Sequence, residues 1–235
     1  MDLATGTASS MEALVRWERP GRGLTGPDRF IPLLEETGLI VQLGEQVIDS
    51  VCRQLASWTR EGTAPVPVSV NISPRQFSQS DVMTQFRSAI ARHGINPALL
   101  EIEVTESSMM QEGIGESAVF SQLRELGIKL CIDDFGTGYS SLSQLQKLRF
   151  DVLKIDRAFV LRIEHPEGDT LIASMIAMAH ALGMRVVAEG IESQGQMQLL
   201  QTLGCDEGQG YFFSRPVPPE EYRVPAAHVW PGPRL

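Results

Sequence analysis

Lys129-Leu-Cys-Ile-Asp133-Asp134-Phe-Gly136-Thr-Gly138 is an apolar run of strand length that stops on two adjacent carboxylates and passes into a glycine-rich turn. Six other stretches follow the same plan, a short apolar run closing on polar residues: Met11–Trp17, Val66–Ile72, Leu99–Thr105, Val152–Asp156, Arg185–Glu189 and Gly208–Phe213. Between the strands lie longer segments of helical period, Phe30–Glu36, Val41–Thr59, Asp81–Arg92, Gly115–Leu126, Ser140–Leu148, Thr170–Leu182 and Gln194–Leu203. Several of them stop at a glycine, as at Gly94, Gly127, Gly183 and Gly204. Repeated strand–helix units predict a parallel sheet, either an open doubly wound sheet or a (β/α)8 barrel. Distinctive side chains at the C-terminal end of nearly every strand favour the barrel, since an open sheet concentrates them at one switch point. No glycine-rich dinucleotide fingerprint follows the first strand. The count of strands is one short of a closed barrel. Past Phe213, the segment Pro216–Tyr222 reads as a closing turn and short helix, and Val224–Leu235, rich in proline, as a flexible tail.

Composition narrows the function. The 235 residues, 43% of them hydrophobic, suffice for one large domain with a sizeable core, and three cysteines exclude a disulfide scaffold. Twenty basic against 29 acidic residues leave a net charge of -9, a poor basis for gripping duplex nucleic acid by its phosphates. An anionic ligand would therefore be met through metal cations. Leu171–Met184, the most apolar stretch, contains His180 and is shorter than the ~20 residues of a membrane span. No signal peptide precedes the first motif, and the scattered Cys52, Cys131 and Cys205 fit reduced thiols in a cytoplasm. The four histidines lack ligand spacing, so zinc is not expected.

Residues two apart in a strand share a face, which aligns Glu12 with Leu14 and Arg16, Glu103 with Thr105, Lys154 with Asp156, and Glu207 with Gln209. If those faces look into a barrel, its mouth collects Glu12, Asn71, Glu103, Asp133, Asp134, Glu189 and Gln209, with Lys154 and Arg16. The carboxylates among them would repel one another unless cations intervene. An all-oxygen set without His or Cys selects Mg2+ or Mn2+, with Ca2+ expected to inhibit because it takes looser geometry and more ligands. The adjacent Asp133 and Asp134 can bridge two ions, an arrangement suited to hydrolysing a phosphodiester by in-line attack. Two alternatives stay open from the residues alone. Lys154 on a barrel strand also suits Schiff-base chemistry. Asp133–Gly138 also reads as a plain tight turn, Gly136 and Gly138 supplying unusual backbone angles, or as a mobile loop coupling the site to a partner.

Glu12-Ala-Leu-Val-Arg-Trp17 resembles the signature of the EAL domain, the bacterial cyclic di-GMP phosphodiesterase family. Further matching blocks run in order: Val70-Asn-Ile-Ser73, Glu103-Val-Thr-Glu106, Asp133-Asp-Phe-Gly-Thr-Gly-Tyr-Ser-Ser-Leu142, Leu153-Lys-Ile-Asp156, Ala188-Glu-Gly-Ile-Glu192 and Gly208-Gln-Gly-Tyr-Phe212. The resemblance implies a domain over residues 1–223 with a modified (β/α)8 barrel whose first strand runs antiparallel to the rest. It implies hydrolysis of one phosphodiester of cyclic di-GMP to linear pGpG. Glu12, Asn71, Glu103 and Asp133 resemble ligands of a first metal; Asp133 and Asp134 would hold a second, with Glu189 and Gln209 near the metal-bound water. Lys154 would position the attacking water, and Arg16, Leu14 and Gln209 would touch substrate. Glu106 would brace the loop 134–140, which in the family links dimerisation to metal binding, and Asp156 and Glu192 would support the acids around them. A homodimer follows from the same resemblance. No metal ligand is missing, so catalysis is expected rather than a receptor that binds cyclic di-GMP without cleaving it. Members usually open on a strand reading roughly Tyr-Gln-Pro-Ile; this chain starts inside the following turn, at Asp2-Leu3-Ala4-Thr5-Gly6, so that strand, with its substrate-holding glutamine, is expected to be absent.

Overall fold

Leu100-Glu-Ile-Glu-Val-Thr105 shows why the chain curls up. Leu100 through Val104 are all buried although two of them are glutamates, so this strand carries two buried faces of opposite chemistry. Leu100, Ile102 and Val104 join the apolar layer beneath the helices, whereas Glu101 and Glu103 turn the other way. The computed structural model, which describes residues 1–109, 118–138, 142–163 and 166–222, repeats this division along its sheet. Val68, Val70, Leu130, Ile132, Leu153, Ile155, Val186 and Ala188 face the helices, and Cys131, Val152 and Val187 form a separate small cluster on the opposite face. The helix-facing layer is a parallel-sheet core of the usual kind; the inner face is largely polar.

In chain order the elements are β1 (Met11–Ala13), β2 (Trp17–Arg19), β3 (Gly23–Thr25), α1 (Ile31–Thr37), α2 (Ile40–Arg60), β4 (Val68–Asn71), α3 (Pro74–Gln79), α4 (Val82–His93), β5 (Leu100–Thr105) and α5 (Glu106–Met109). There follow α6 (Val119–Glu125), β6 (Lys129–Phe135), α7 (Leu142–Leu148), β7 (Val152–Ile155), α8 (Arg157–Val160), α9 (Pro166–Ala181), β8 (Arg185–Ala188), α10 (Gln194–Thr202) and β9 (Glu207–Gly208). Seven strands form one curled sheet in the order β1-β4-β5-β6-β7-β8-β9, every adjacent pair parallel. This is the TIM-like barrel expected from the sequence rather than the doubly wound sheet.

The two ends of the sheet approach each other differently from its interior. Asp2 makes an antiparallel bridge to Glu207, supported by Leu3 N–H donating to Asp206 O at 2.9 Å and Gly208 N–H to Met1 O at 2.8 Å. The turn that follows is held by Asp2, whose Oδ1 accepts from the amides of Ala4 and Thr5 at 2.9 and 2.7 Å. Between β9 and β1 the gap is crossed by side chains: Gln209 Nε2 donates to Glu12 Oε2 at 2.7 Å, and Ser9 Oγ to Glu207 Oε2 at 2.6 Å.

Three sequence expectations are corrected. The strand Met11–Trp17 is split: only Met11–Ala13 joins the barrel, and Trp17–Arg19 pairs antiparallel with Gly23–Thr25 in a separate hairpin. The Pro20-Gly21 turn doubles the chain back, so Trp17 finds its partner locally. Gly208–Phe213 is a strand only to Gly208; the amides of Phe213 and Ser214 turn back onto Gly210 O at 3.0 and 3.2 Å. Pro216–Tyr222 contains a turn, Glu221 N–H to Pro218 O at 3.0 Å, and no helix. The short helices α3, α5 and α8 escaped the periodicity reading because they are one to two turns long. The helix-ending glycines behave as expected, with φ between 65° and 95° at Gly94, Gly127, Gly183 and Gly204. Among the described residues no helix is long and apolar enough to cross a membrane. The segment 224–235 lies outside the described residues.

Candidate active site

The parallel register sets inward-facing residues of neighbouring strands at similar depth: Asn71 lies opposite Glu103 and Thr105 opposite Asp133. Lys154, the third residue of β7, rises into their midst with 3% of its surface exposed. Its Nζ stands 2.7 Å from Glu103 Oε1 and 2.6 Å from Glu189 Oε1, with Glu12 Oε2 and Asp133 Oδ1 each at 3.6 Å. Glu12 is clamped from both sides, by Asn71 Nδ2 at 2.8 Å on Oε1 and by Gln209 Nε2 at 2.7 Å on Oε2. Thus β1, β4, β5, β6, β7, β8 and β9, or the residue directly after them, all contribute to one cluster. Sequence separation within it reaches from Glu12 to Gln209.

Negative charge outweighs positive here. Burial, and then the Glu12 and Asp133 charges, push Glu103 up to about 8 against the pull of Lys154. Glu189 is pushed up to about 7 by burial and by Asp133, again against Lys154. Asp134 rises to about 6, by burial first and then the charges of Asp133 and Asp156. Glu12 is the exception: burial pushes it up, but Lys154 and the two amides hold it below the usual carboxylate range. Lys154 stays well above its ordinary value because Glu103 and Glu189 outweigh the effect of its burial. One ammonium cannot neutralise Glu12, Glu103, Asp133, Asp134 and Glu189 together.

Among the described residues no group of three or more His, Cys, Asp or Glu side chains is gathered closely enough to hold a metal outright; the carboxylates close on the Lys154 ammonium instead. The donor chemistry nevertheless fits a hard divalent cation. Every donor is an oxygen, and Glu103 Oε2 is buried without a hydrogen-bond partner among the described residues. Asp134 adopts a left-handed backbone, φ 55°, which costs a non-glycine residue energy and is common at functional sites.

The remaining candidates lie around this cluster. Glu106 Oε2 accepts the amides of Gly136 and Gly138 at 2.8 and 3.1 Å, tying the loop after β6 to α5. Gly136, at φ 99°, needs the missing side chain twice over, because a Cβ there would come within 2.7 Å of Phe159 and Met175. Gly138 does not have the unusual backbone angle expected of it; its constraint is the closeness of Glu106, 3.1 Å from where a Cβ would stand. Residues 139–140 of the same loop lie outside the described set. Asp156 caps α8, accepting from Ala158 N–H at 2.9 Å. Leu14 and Arg16 sit exposed between β1 and the hairpin, Arg16 donating to Val15 O at 2.9 Å. Neither they nor Glu192 joins the Lys154 cluster; Glu192 pairs with Arg157 at 2.5 Å. Arg157, which directly follows the Leu153–Asp156 block, carries no signal in its own sequence, because Gly190 and Glu192, which it touches, lie on another turn. Thr105 Oγ1 lies 2.5 Å from Ser108 Oγ and accepts the Ser108 amide at 3.3 Å, capping the helix that carries Glu106.

Fold and site together define a class, a parallel TIM-like barrel with an acid-rich, oxygen-donor cluster at the C-terminal ends of its strands. The chain belongs to the EAL domain family, whose model matches residues 1–216. It is 42% identical over 217 residues to the bifunctional diguanylate cyclase/cyclic di-GMP phosphodiesterase MucR of Pseudomonas aeruginosa, covering 92% of this chain and 32% of that protein. It is 40% identical over 214 residues to the cyclic di-GMP phosphodiesterase PdeR of Escherichia coli, covering 91% of this chain and 32% of that one. The chain therefore spans about a third of the length of these relatives. A solved structure, the PaMucR phosphodiesterase in complex with c-di-GMP, superposes with a TM-score of 0.84 at 42% identity, covering 89% of this chain and 85% of that one. EAL phosphodiesterases generally depend on a divalent metal.

Proposed function

We propose that the domain, over residues 1–223, hydrolyses one phosphodiester bond of cyclic di-GMP, giving linear pGpG. The observation that carries this reading is the buried Lys154 ammonium ringed by Glu12, Glu103, Asp133 and Glu189, with Glu12 fixed by Asn71 and Gln209. The likeness to MucR and PdeR supports the choice of substrate. Glu12, Asn71, Glu103 and Asp133 would hold one Mg2+ or Mn2+ ion, and Asp133 with Asp134 a second, Glu189 and Gln209 lying alongside. Bound there, such ions act as Lewis acids on the phosphate and increase the acidity of water.

Lys154 orients the water that attacks phosphorus and offsets the charge that builds on the phosphate oxygens. Glu189, hydrogen-bonding distance from Lys154, takes up the proton of that water. The new bond joins the water oxygen to phosphorus, the bond to the ribose 3′ oxygen breaks, and that oxygen receives a proton. Arg16 and Leu14, exposed beside the mouth, with Gln209, contact the nucleotide. Glu106 holds the loop after β6, through which a homodimer would influence the acids at its base; Asp156 and Glu192 support the neighbouring turns. Free, buried Cys52, Cys131 and Cys205 are in keeping with a reducing, cytoplasmic setting.

The test is incubation with cyclic di-GMP and Mg2+ or Mn2+, followed by chromatographic separation of cyclic from linear product. Conversion to pGpG is expected, with loss of turnover in excess chelator and inhibition by Ca2+. Binding without conversion would make the domain a receptor; trapping of a carbonyl substrate on Lys154 by borohydride would make it a lyase. Activity that is full in a strictly monomeric species would remove the dimer from the account.

A further inference from the structure

We infer that Arg157 is a positioning residue for the proposed hydrolysis, its side chain clamping the turn after β8 so that Glu189 stays on Lys154. The inference rests on the phosphodiesterase reading. Arg157 opens α8 immediately after β7, the strand that carries Lys154, and reaches across to the turn that follows β8. Its Nη2 donates to Glu192 Oε1 at 2.5 Å. Its aliphatic stem lies against Gly190, where φ is +71° and a Cβ would fall 2.2 Å from Arg157 Cγ, 2.7 Å from Cβ and 2.8 Å from Cδ. Only a glycine allows that approach.

Glu189 is the neighbour of this glycine. Its amide donates to Ile155 O at 3.0 Å, and its Oε1 is 2.6 Å from Lys154 Nζ. On the other side Ile191 N–H donates to Gln209 O at 3.0 Å, and Gln209 N–H to Ala188 O at 2.8 Å. The backbone of 189–191 is thus tied to β7 and to the end of β9, and the Arg157 stem covers the glycine between the two ties. The ion pair to Glu192 is 55% and 43% exposed, so it contributes little by itself. Packing of the stem carries the clamp, as long cationic side chains do when they cover a surface with their methylenes. A small displacement of a catalytic group suffices to slow a reaction by up to ~100-fold.

The experiment compares Arg157→Ala, Arg157→Met and Arg157→Lys with the unaltered protein, measuring kcat and KM for cyclic di-GMP, its Kd, thermal stability and amide hydrogen exchange. Arg157→Ala is expected to lower kcat about tenfold, with KM and Kd within about twofold and exchange faster by about tenfold in 189–191 alone. Arg157→Met and Arg157→Lys, which keep the stem, should restore at least about half of kcat. Unaltered kcat and exchange in Arg157→Ala would overturn the clamp. Parallel weakening of KM and Kd would overturn it in favour of direct substrate contact. Faster exchange throughout β8 and β9 with a lower Tm would reduce Arg157 to a general structural role, which also overturns it. Should the unaltered protein turn over no cyclic di-GMP, the phosphodiesterase reading fails, and the exchange comparison still decides whether Arg157 holds the turn.

Discussion

The two ends of the barrel interior use the same residue types to opposite effect. At the N-terminal ends of the strands, buried Glu101 and Glu207 face Lys129 and Arg185: Lys129 Nζ is 3.3 Å from Glu101, Arg185 Nη2 is 3.9 Å from Glu101, and Arg185 Nη1 pairs with Glu207. Acids and bases are matched there, and both bases reach solvent with side chains 38% and 44% exposed. At the C-terminal ends Glu12, Glu103, Asp133, Asp134 and Glu189 share the single, buried Lys154. The acids Glu101, Glu207 and Glu103 are buried alike, but the bases of one end reach solvent while Lys154 does not. The count of charges and the burial of the cation together therefore separate an end whose charges are balanced from one left with an excess of acids. Side chains at the C-terminal face of such barrels serve chemistry, those at the opposite face stability.

The largest expected effect lies at the unbalanced end. Lys154→Ala should lower turnover of cyclic di-GMP by at least ~100-fold, while calorimetric titration with Mn2+ still detects binding, because an ammonium is no metal ligand. Wild-type turnover in that variant would break the comparison at its centre.

Glu103→Gln sharpens it. A carboxyl that burial and its acidic neighbours push up to about 8 is replaced by a neutral amide that need take up no proton. In chelator at neutral pH the melting temperature should therefore rise by about a few degrees while turnover falls at least ~100-fold, the trade typical of a site whose groups are held against their preference. A fall in Tm would mean that Glu103 is held as favourably as the acids of the other end.

At the balanced end the sign reverses. Arg185→Met leaves Glu207 buried without its cation and should cost about 1–3 kcal/mol in urea unfolding, with kcat per folded molecule within about twofold of the unaltered protein. The smallest effect is expected at a helix cap that belongs to neither charged cluster. Ser193 caps α10, its Oγ accepting the Gln196 amide at 3.2 Å, and Ser193→Ala should cost about 1 kcal/mol with kcat unchanged.

Particular residues mark how far the sequence could be read. Leu100–Thr105 alternates so strictly that Glu103 could be assigned to the inner face without a structure, and the neighbouring strands extended that assignment to Asp133 and Lys154. The same rule failed for Leu14 and Arg16, aligned with Glu12 on paper, because β1 ends at Ala13 and alternation has no meaning past a strand's end. The glycine-rich turn suggests an unusual dihedral at Gly138, but its constraint is a neighbouring carboxylate, and nothing local marks Arg157, whose partners Gly190 and Glu192 lie on another strand's turn.

The amino-acid order by itself determined the parallel strand–helix repeat, the inward faces of the long strands and the oxygen-rich side chains at the strand ends, since each follows from periodicity or residue chemistry within a few positions. Only the tertiary structure decided that Glu12 and Gln209, 197 positions apart, share a hydrogen bond, that the carboxylates converge on Lys154, and that the acids of the opposite end are neutralised. Those outcomes depend on strand order, register and the curl that brings the two ends of the sheet together. A strand's own sequence specifies its inner face; which charges stand beside that face is decided by the strands it meets.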